Sequence, residues 1–414
     1  MVPNINRRTG MPMSRRAVLG SALALPAVRR AWAQADPLPF GALYPLTGVL
    51  ALFGDESFRG LELAVDERNA AGGLFGRPIK LVKGDAVDAN VAVAEVKRLI
   101  GAEKVGLVFG TFASPLVQAA SQITELAGIP YCELGAISDP VMDRGFHFLF
   151  RSCPSASQFA AHSVDTIADA LAPGWGADRD ELRVAILFED GLYGSTVSGF
   201  QVARLRERGL NVIEKLAYSG STTDLSSAVQ RLRGADATVV LHTGYQSDTV
   251  LFYRQMRQAG WLPRMVIGAG GGYALSDTAS TIGADFDGTL NVGFPPYETN
   301  PAVAPGAREV AAAYEKKCGA KPRSGHSLAN YVGAKIFMDA LSRAGSLDKD
   351  KVRDAVRATS LAPTQTANGW GVGFDDKGQN TRATPFVAQW LGGVLRTVLP
   401  TEAAMTSLRP KLGA

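Results

Sequence analysis

Short apolar runs alternate with longer amphipathic segments along most of the chain. Runs such as Pro39–Tyr44 and Val184–Phe188 predict strands, and segments such as Ser57–Ala71 and Pro115–Ala127 predict helices. Strands separated by helices of this length indicate βαβ units and parallel sheets. The other predicted strands are Ile79–Lys83, Val105–Phe109, Val212–Ala217, Ala237–Leu241, Met265–Ile267 and Thr289–Val292. The other predicted helices are Asn90–Ile100, Ser157–Leu171, Thr196–Arg208, Leu225–Arg233 and Ser247–Ala259.

The alternation is interrupted near Arg151–Ser157, and a second βα series starts at Val184. From Gly288 the pattern changes to helices (Ala304–Lys317, Leu328–Ala344, Lys349–Thr359) followed by a glycine-rich β stretch, Gly369–Val398. This order predicts an α/β fold with two Rossmann-like lobes, each with a parallel-sheet core, and a chain that crosses between them more than once. We expect residues 36–153 and 288–362 in lobe 1, and residues 154–287 and 363–414 in lobe 2.

The first 35 residues have the composition of a secretory signal peptide. They contain six arginines and no Asp, Glu or Lys, then the apolar run Ala17–Ala27, and end on Ala33-Gln34-Ala35. A charged start, a short apolar run and a small-x-small site are typical of such a signal. The pair Arg15-Arg16 favours the Tat route, with the Sec route as the alternative. We therefore expect an exported, periplasmic protein.

Removal of residues 1–35 changes the charge of the protein. The full chain has 43 basic and 39 acidic residues, and the remaining 379 residues have 37 and 39. This balance gives no reason to expect nucleic acid or an acidic membrane as a partner. A chain of this length favours two domains, and no later segment is apolar enough to span a membrane.

The motifs of common catalytic sites are absent from the sequence. The glycine-rich segment Gly268–Gly272 follows a strand, but Tyr273 stands where a Gly-x-Gly-x-x-Gly fingerprint needs glycine. The four histidines have no metal-ligand spacing, and there is no Gly-x-Ser-x-Gly elbow. We therefore expect no enzyme, no metal and no cofactor. Cys132 and Cys153 could pair in an oxidising compartment, or both could be isolated buried thiols.

The segments that follow the predicted strands are the candidate binding site, because open α/β sheets bind ligands beyond the carboxyl ends of their strands. Ser114 is predicted to be the N-cap of the helix that begins at Pro115, and a helix start with a hydroxyl suits a carboxylate or carbonyl oxygen. Phe53, Tyr193 and Tyr245 would give flat apolar walls, with core packing as the alternative role for each.

Several segments in order resemble the type I periplasmic binding proteins of branched-chain amino acid and amide ABC transporters, a leucine-binding-protein-like family. The resemblance runs through nearly all of 38–395. The matching segments are Gly41–Gly48, Phe53-Gly54-Asp55, Gly60–Gly73, Gly76–Ile79, Asp190–Gly194, Arg254–Gly260 and Phe374–Gly378. It implies two lobes joined by three crossovers, which close on a small ligand and deliver it to permease subunits with their ATPases.

The resemblance also implies ligand contacts at particular positions. Ser114 falls where the family places a hydroxyl on the ligand carboxylate, and Gly135–Ser138 falls where a loop completes that contact, with Ile137 or Ser138 as the last member. Phe53, Tyr193 and Tyr245 fall at aromatic contact positions. The full set of expected ligand-binding residues is Phe53, Phe112, Ser114, Gly135, Ala136, Ser138, Tyr193, Tyr245 and Gly270.

One position departs from the amino-acid binders of the family. They place a glutamate after the strand that corresponds to Met265–Ile267, facing the ligand ammonium, and the nearest residue here is Gly270. An ammonium without a partner in a closed cleft is costly. We therefore expect a ligand with a carboxylate or amide but no ammonium, with an aromatic one as a candidate. The alternatives are a ligand-sensing protein of the same fold and an exported oxidoreductase.

Overall fold

Two sheets form the framework of the protein, for which a computed structural model describes residues 36–410. The predicted signal peptide lies outside these residues. The first sheet has the strand order β2-β1-β3-β4-β5, all parallel. Its strands are β1 (Leu38–Tyr44), β2 (Ile79–Asp85), β3 (Val108–Gly110), β4 (Tyr131–Glu133) and β5 (Leu149–Arg151).

The second sheet has the order β14-β13-β10-β9-β8-β6-β7. Strands β6 to β10 pair in parallel, and β13 pairs antiparallel with both β10 and β14. Its strands are β6 (Arg183–Glu189), β7 (Asn211–Tyr218), β8 (Val239–Thr243), β9 (Met265–Gly268), β10 (Leu290–Gly293), β13 (Phe386–Leu391) and β14 (Val394–Leu399). A small ribbon pairs β11 (Ser360–Leu361) with β12 (Val372–Gly373). The predicted α/β class with two parallel-sheet cores is confirmed.

Helices connect the strands and cover the sheets. The first sheet is accompanied by α1 (Ala51–Ala70), α2 (Ala89–Gly101), α3 (Ser114–Ala127), and the later α10 (Ala307–Cys318), α11 (Gly325–Ala344) and α12 (Lys349–Arg357). The second is accompanied by α4 (Ala156–Thr166), α5 (Ala172–Trp175), α6 (Leu192–Glu207), α7 (Ser226–Gly234), α8 (Gln246–Gln258) and α9 (Ser276–Ile282). Helix α11 packs along α1, and α4 packs along α6. None of the helices in 36–410 is long and apolar enough to cross a membrane.

The chain passes from the first sheet to the second after β5, returns to helices α10–α12 after β10, and reaches β13 after the small ribbon. Three crossings therefore connect the two sheets, as the resemblance implied. Residues 288–362 were expected in lobe 1, but strand β10 of this range pairs with β9 in the second sheet. The lobe boundaries themselves stay a prediction.

Two local predictions were wrong, and two strands were missed. Helix α1 begins at Ala51 and not Ser57, so Phe53 lies in its first turn and not in a loop. The N-cap of α3 is Ala113, whose carbonyl accepts the first helical hydrogen bonds, and Ser114 is the first helical residue with no capping hydrogen bond. Strands β4 and β5 were not predicted, because three residues are too few to show a period of two.

Candidate functional site

The first lobe's half of the candidate site is built from the ends of β3 and β4. After β3 the chain places Phe112 and then Ser114 at the start of α3. After β4 comes the loop 135–138, and the Ser138 N–H donates to Ser114 Oγ at 3.3 Å. Ser114 is 2 % exposed as a residue, and because its hydroxyl oxygen accepts from Ser138, the hydroxyl proton can be donated to a ligand oxygen.

The second lobe's half follows β6, β8 and β9. Tyr193, in the first turn of α6, donates its hydroxyl to the Ala269 carbonyl at 2.5 Å. Tyr245 immediately precedes α8, and its ring lies 5.4 Å from that of Tyr193. Gly270 (φ +77°) and Gly271 (φ +49°) have positive φ angles, which glycine adopts most easily. A Cβ at Gly271 would lie 2.3 Å from the carbonyl oxygen of Gly244.

These two halves enclose a cavity of about 30 Å³ between the sheets. Its wall contains six of the nine predicted residues and no charged side chain. The lining residues are Phe112, Ser114, Gly135, Ile137, Phe159, Tyr193, Tyr245, Ala269, Gly270, Gly271 and Phe294. Ile137, which the sequence left as an alternative to Ser138, is the one of the two that lines it.

The other three predicted residues lie behind the wall. Phe53 stacks on Phe112 with ring centroids 4.6 Å apart and planes 9° apart. The Ala136 N–H is occupied by a carboxylate oxygen of Glu133. The Ser138 hydroxyl donates to the Leu192 carbonyl at 3.3 Å and thereby joins the first lobe to the start of α6. These residues support the cavity wall without lining it.

Two lining phenylalanines were missed by the sequence reasoning. Phe159 comes from α4, and Phe294 follows β10; their rings meet edge to face at 5.8 Å. A Cβ built on Gly270 would lie 3.2 Å from Phe159, so Phe159 takes the space beside this position. Position after a parallel strand could have indicated Phe294, but nothing in the sequence shows that α4 turns Phe159 toward the cleft.

A buried histidine lies beside the aromatic wall. His326 of α11 is 4 % exposed and contacts the rings of Phe53, Phe112 and Phe294 edge-on or nearly so, at 5.0 to 5.7 Å. Burial lowers its pKa to about 4. The imidazole is therefore neutral at pH 7 and adds no charge to the site.

Two carboxylates underlie the tyrosines of the second lobe. Glu189 accepts the N–H groups of Gly191 and Gly194, both at 2.6 Å, and Asp248 accepts that of Tyr245 at 3.0 Å. Burial raises the pKa of both carboxyls. Because their oxygens are directed to their own loops, these groups shape the tyrosine wall and do not line the cavity.

The cysteines are free thiols. Cys132 and Cys153 are fully buried, and Cys318 is partly exposed. Burial raises the pKa of the Cys132 and Cys153 thiols, and the charge of Glu133 raises it further at Cys132. Of the two alternatives for Cys132 and Cys153, the structure has the isolated buried thiols. Within the described residues, no group of His, Cys, Asp and Glu side chains could hold a metal ion.

Comparison with known proteins agrees with this architecture. A family model described as periplasmic binding protein matches residues 37–393. "Leu/Ile/Val-binding protein homolog 8" of Brucella suis is 46% identical over 396 residues, which cover 95% of this chain and 98% of the relative. "Leu/Ile/Val-binding protein homolog 7" of the same organism is 46% identical over 378 residues, 91% and 94% of the two chains.

Solved structures with the same fold include binders of two kinds of ligand. The LivJ protein of Streptococcus pneumoniae, in complex with isoleucine, has a TM-score of 0.74 at 20% identity and covers 87% of this chain and 98% of its own. A solute-binding protein of R. palustris, in complex with benzoate, has a TM-score of 0.75 at 18% identity and covers 92% and 99%. At these identities the likeness shows the fold alone.

The chain belongs to the periplasmic binding protein family, and the expected type I, branched-chain amino acid branch is confirmed. It is accordingly a solute-binding protein.

Proposed function

We propose that this protein is the exported binding component of an ABC importer and captures a small aromatic carboxylate by closure of its two lobes. The observation that supports the ligand class is the uncharged, aromatic wall, in which Ser114 supplies a hydroxyl and Gly270 is nearest to the position of the ammonium-binding glutamate of the family's amino-acid binders. An amino acid would bring an ammonium group against a wall without a carboxylate, which is unfavourable.

Closure is supported by contacts that cross the cleft. Besides the hydrogen bond from Ser138 to Leu192, Arg323 pairs with Asp277 at 3.6 Å and its carbonyl accepts the Ser276 N–H at 3.0 Å. The cavity of about 30 Å³ is the size of one water molecule, so the lobes have to stand further apart with an aromatic carboxylate between them. A ligand that contacts both lobes stabilises this ligand-bound closed form over the open one, because only there does it touch both. Permease subunits would receive the ligand from the closed form.

The test is a titration of residues 36–414 with benzoate, 4-hydroxybenzoate, benzamide, leucine and isoleucine, followed by calorimetry and thermal denaturation. We expect binding of the benzoates and none of the amino acids; at a concentration 100-fold above the dissociation constant the stabilisation is about 2.7 kcal/mol. Tight leucine or isoleucine binding without benzoate binding would refute the ligand class. Benzamide binding as tight as that of benzoate would show that the charge is not recognised.

A pair of serine variants tests the role of the hydroxyl. Ser114→Ala should weaken benzoate binding by roughly 10- to 100-fold, since a hydrogen bond to a charged group contributes about 1.5–3 kcal/mol. Ser121→Ala is the matched control: it is buried on the same helix, but its hydroxyl bonds to the Val117 carbonyl and does not line the cavity. Equal losses in the two variants would show that Ser114 acts through the helix and not on the ligand.

A further inference from the structure

One buried glutamate ties together two loops of the first lobe. Glu133 is the last residue of β4 and is fully buried. Its carboxylate accepts the N–H of Thr111 at 2.5 Å, of Gly135 at 2.8 Å and of Ala136 at 2.7 Å. Thr111 belongs to the loop after β3, whereas the other two belong to the loop after β4. A single side chain therefore fixes the separation of these loops.

A buried arginine holds the other side of the second loop. Arg151, at the end of β5, is 1 % exposed. Its guanidinium donates to the carbonyls of Ala136 at 3.3 Å and Ser138 at 2.8 Å, and to the side-chain oxygen of Gln379 at 2.5 Å. The segment 135–138 thus lies between a carboxylate that accepts its N–H groups and a guanidinium that donates to its carbonyls.

Arg151 also connects this segment to a crossing between the lobes. Gln379 pairs with Arg151 through the backbone and donates its side-chain amide to the Cys153 carbonyl at 2.9 Å. Arg151 ends the last strand of the first sheet and Cys153 follows it, and Gln379 precedes β13 of the second. The position of segment 135–138 is therefore coupled to the chain where it crosses from one lobe to the other.

Burial of an ionisable carboxyl and a guanidinium needs a reason beyond stability, because buried ionisable groups are costly and apolar replacements are often neutral or stabilising. Both loops that Glu133 ties carry residues of the cavity wall: Phe112 and Ser114 in the first, Gly135 and Ile137 in the second. The hydrogen bonds of Glu133 and Arg151 hold the backbone of these loops. We propose that Glu133 and Arg151 are positioning residues of the ligand site, which hold the two loops at the separation that ligand binding requires.

The test compares Glu133→Gln with the parent protein in two measurements. The first is amide hydrogen exchange without any ligand, in which we expect at least tenfold faster exchange in segments 111–114 and 135–138 and little change in the second sheet. The second is the dissociation constant for 4-hydroxybenzoate, which should rise at least tenfold. The amide can still accept one set of N–H groups, but its NH₂ faces the remaining N–H donors, so the contact between the loops is lost.

Glu56→Gln is the matched control. Glu56 is also a fully buried glutamate of the first lobe, but it accepts from Ser324, Ser327 and Tyr314 and touches neither loop. It should leave exchange in 111–114 and 135–138 unchanged. If Glu133→Gln changes neither the exchange nor the affinity, or if both variants affect the two segments equally, the inference is refuted.

If Glu133→Gln does not fold, Glu133→Asp is the second variant, because it keeps a carboxyl group but withdraws its oxygens by one methylene. We then expect faster exchange confined to segments 111–114 and 135–138. Unchanged exchange would refute the inference.

The choice of 4-hydroxybenzoate rests on the proposed function. Failure of the parent protein to bind it would contradict that function, while the exchange measurement would still decide the role of Glu133.

Discussion

The ionisation of Glu133 should make the stability of the protein fall as the pH rises. Burial raises the pKa of this carboxyl from 4.5 to about 7, against the opposing effects of its three backbone hydrogen bonds and of Arg151. Its titratable neighbours are Arg151 and the tyrosines and thiols whose pKa values it raises, namely Tyr44, Tyr131, Cys132 and Cys153. Glu133 is therefore the group of this cluster that titrates between pH 4.5 and 7.

Proton linkage gives the direction and the size of this change in the free energy of unfolding. Between pH 4.5 and 7 the folded protein keeps a proton on Glu133 that the unfolded chain has lost. The contribution of this group to the free energy of unfolding is thus fully present below pH 4.5 and lost by pH 7, a change of roughly 3 kcal/mol. In Glu133→Gln the side chain does not titrate, so the stability of the variant relative to the parent should rise by that amount over this range.

The assay is urea denaturation of residues 36–414 and of the variant at several pH values from 4.5 to 8. Only the difference between the two proteins is used, because the other titrating groups contribute equally to both. The variant can be less stable than the parent at every pH, since it loses hydrogen bonds at the loops; the prediction concerns the slope of the difference. A difference that is flat from pH 4.5 to 8 would refute the raised pKa.

Three other changes can be tested by similar means. Burial lowers the pKa of His326 to about 4, so the free energy of unfolding of the parent protein should fall as the pH falls from 6.5 to 4. In His326→Gln, urea denaturation should show a fall that is smaller than that of the parent by roughly 3 kcal/mol. Gly60→Ala should lower the melting temperature sharply, since its Cβ would lie 2.0 Å from a carbonyl oxygen of α11, whereas Gly199→Ala, with open space around it, should raise stability by up to about 1 kcal/mol. In native protein a thiol reagent should modify Cys318 quickly and the two fully buried cysteines only after unfolding; rapid modification of all three would contradict the packing.

Most of the fold could be predicted from the sequence because its elements are long and periodic. Helices such as α8 have enough residues to show their period, strands such as β6 form a continuous apolar run, and their alternation indicates parallel sheets. The three-residue strands β4 and β5 could not be seen in this way. Their place in the sheet depends on pairing with distant strands, which no local pattern records.

The candidate site could be predicted only where its residues directly follow strands or match the family. Ser114, Tyr193, Tyr245 and Gly270 meet that condition, and all line the cavity. Phe159 does not, since it reaches the cavity from a helix at the seam between the two halves of the chain. Its contribution depends on how the lobes pack together, which is a property of the tertiary structure.

The buried carboxylates reveal how the wall is kept in place in both lobes. Glu133 and Glu189 each end a strand, and each accepts two or more N–H groups of the loop that follows; Asp248 does the same for the backbone of Tyr245. Burial raises the pKa of all three carboxyls, which means that the folded state disfavours their charge. These three carboxyls fix the geometry of the loops at some expense of stability, since apolar residues could fill the same positions but could not accept the loop N–H groups. The loop 269–271 is held differently, because the Gly270 N–H donates to the side-chain oxygen of Asn291.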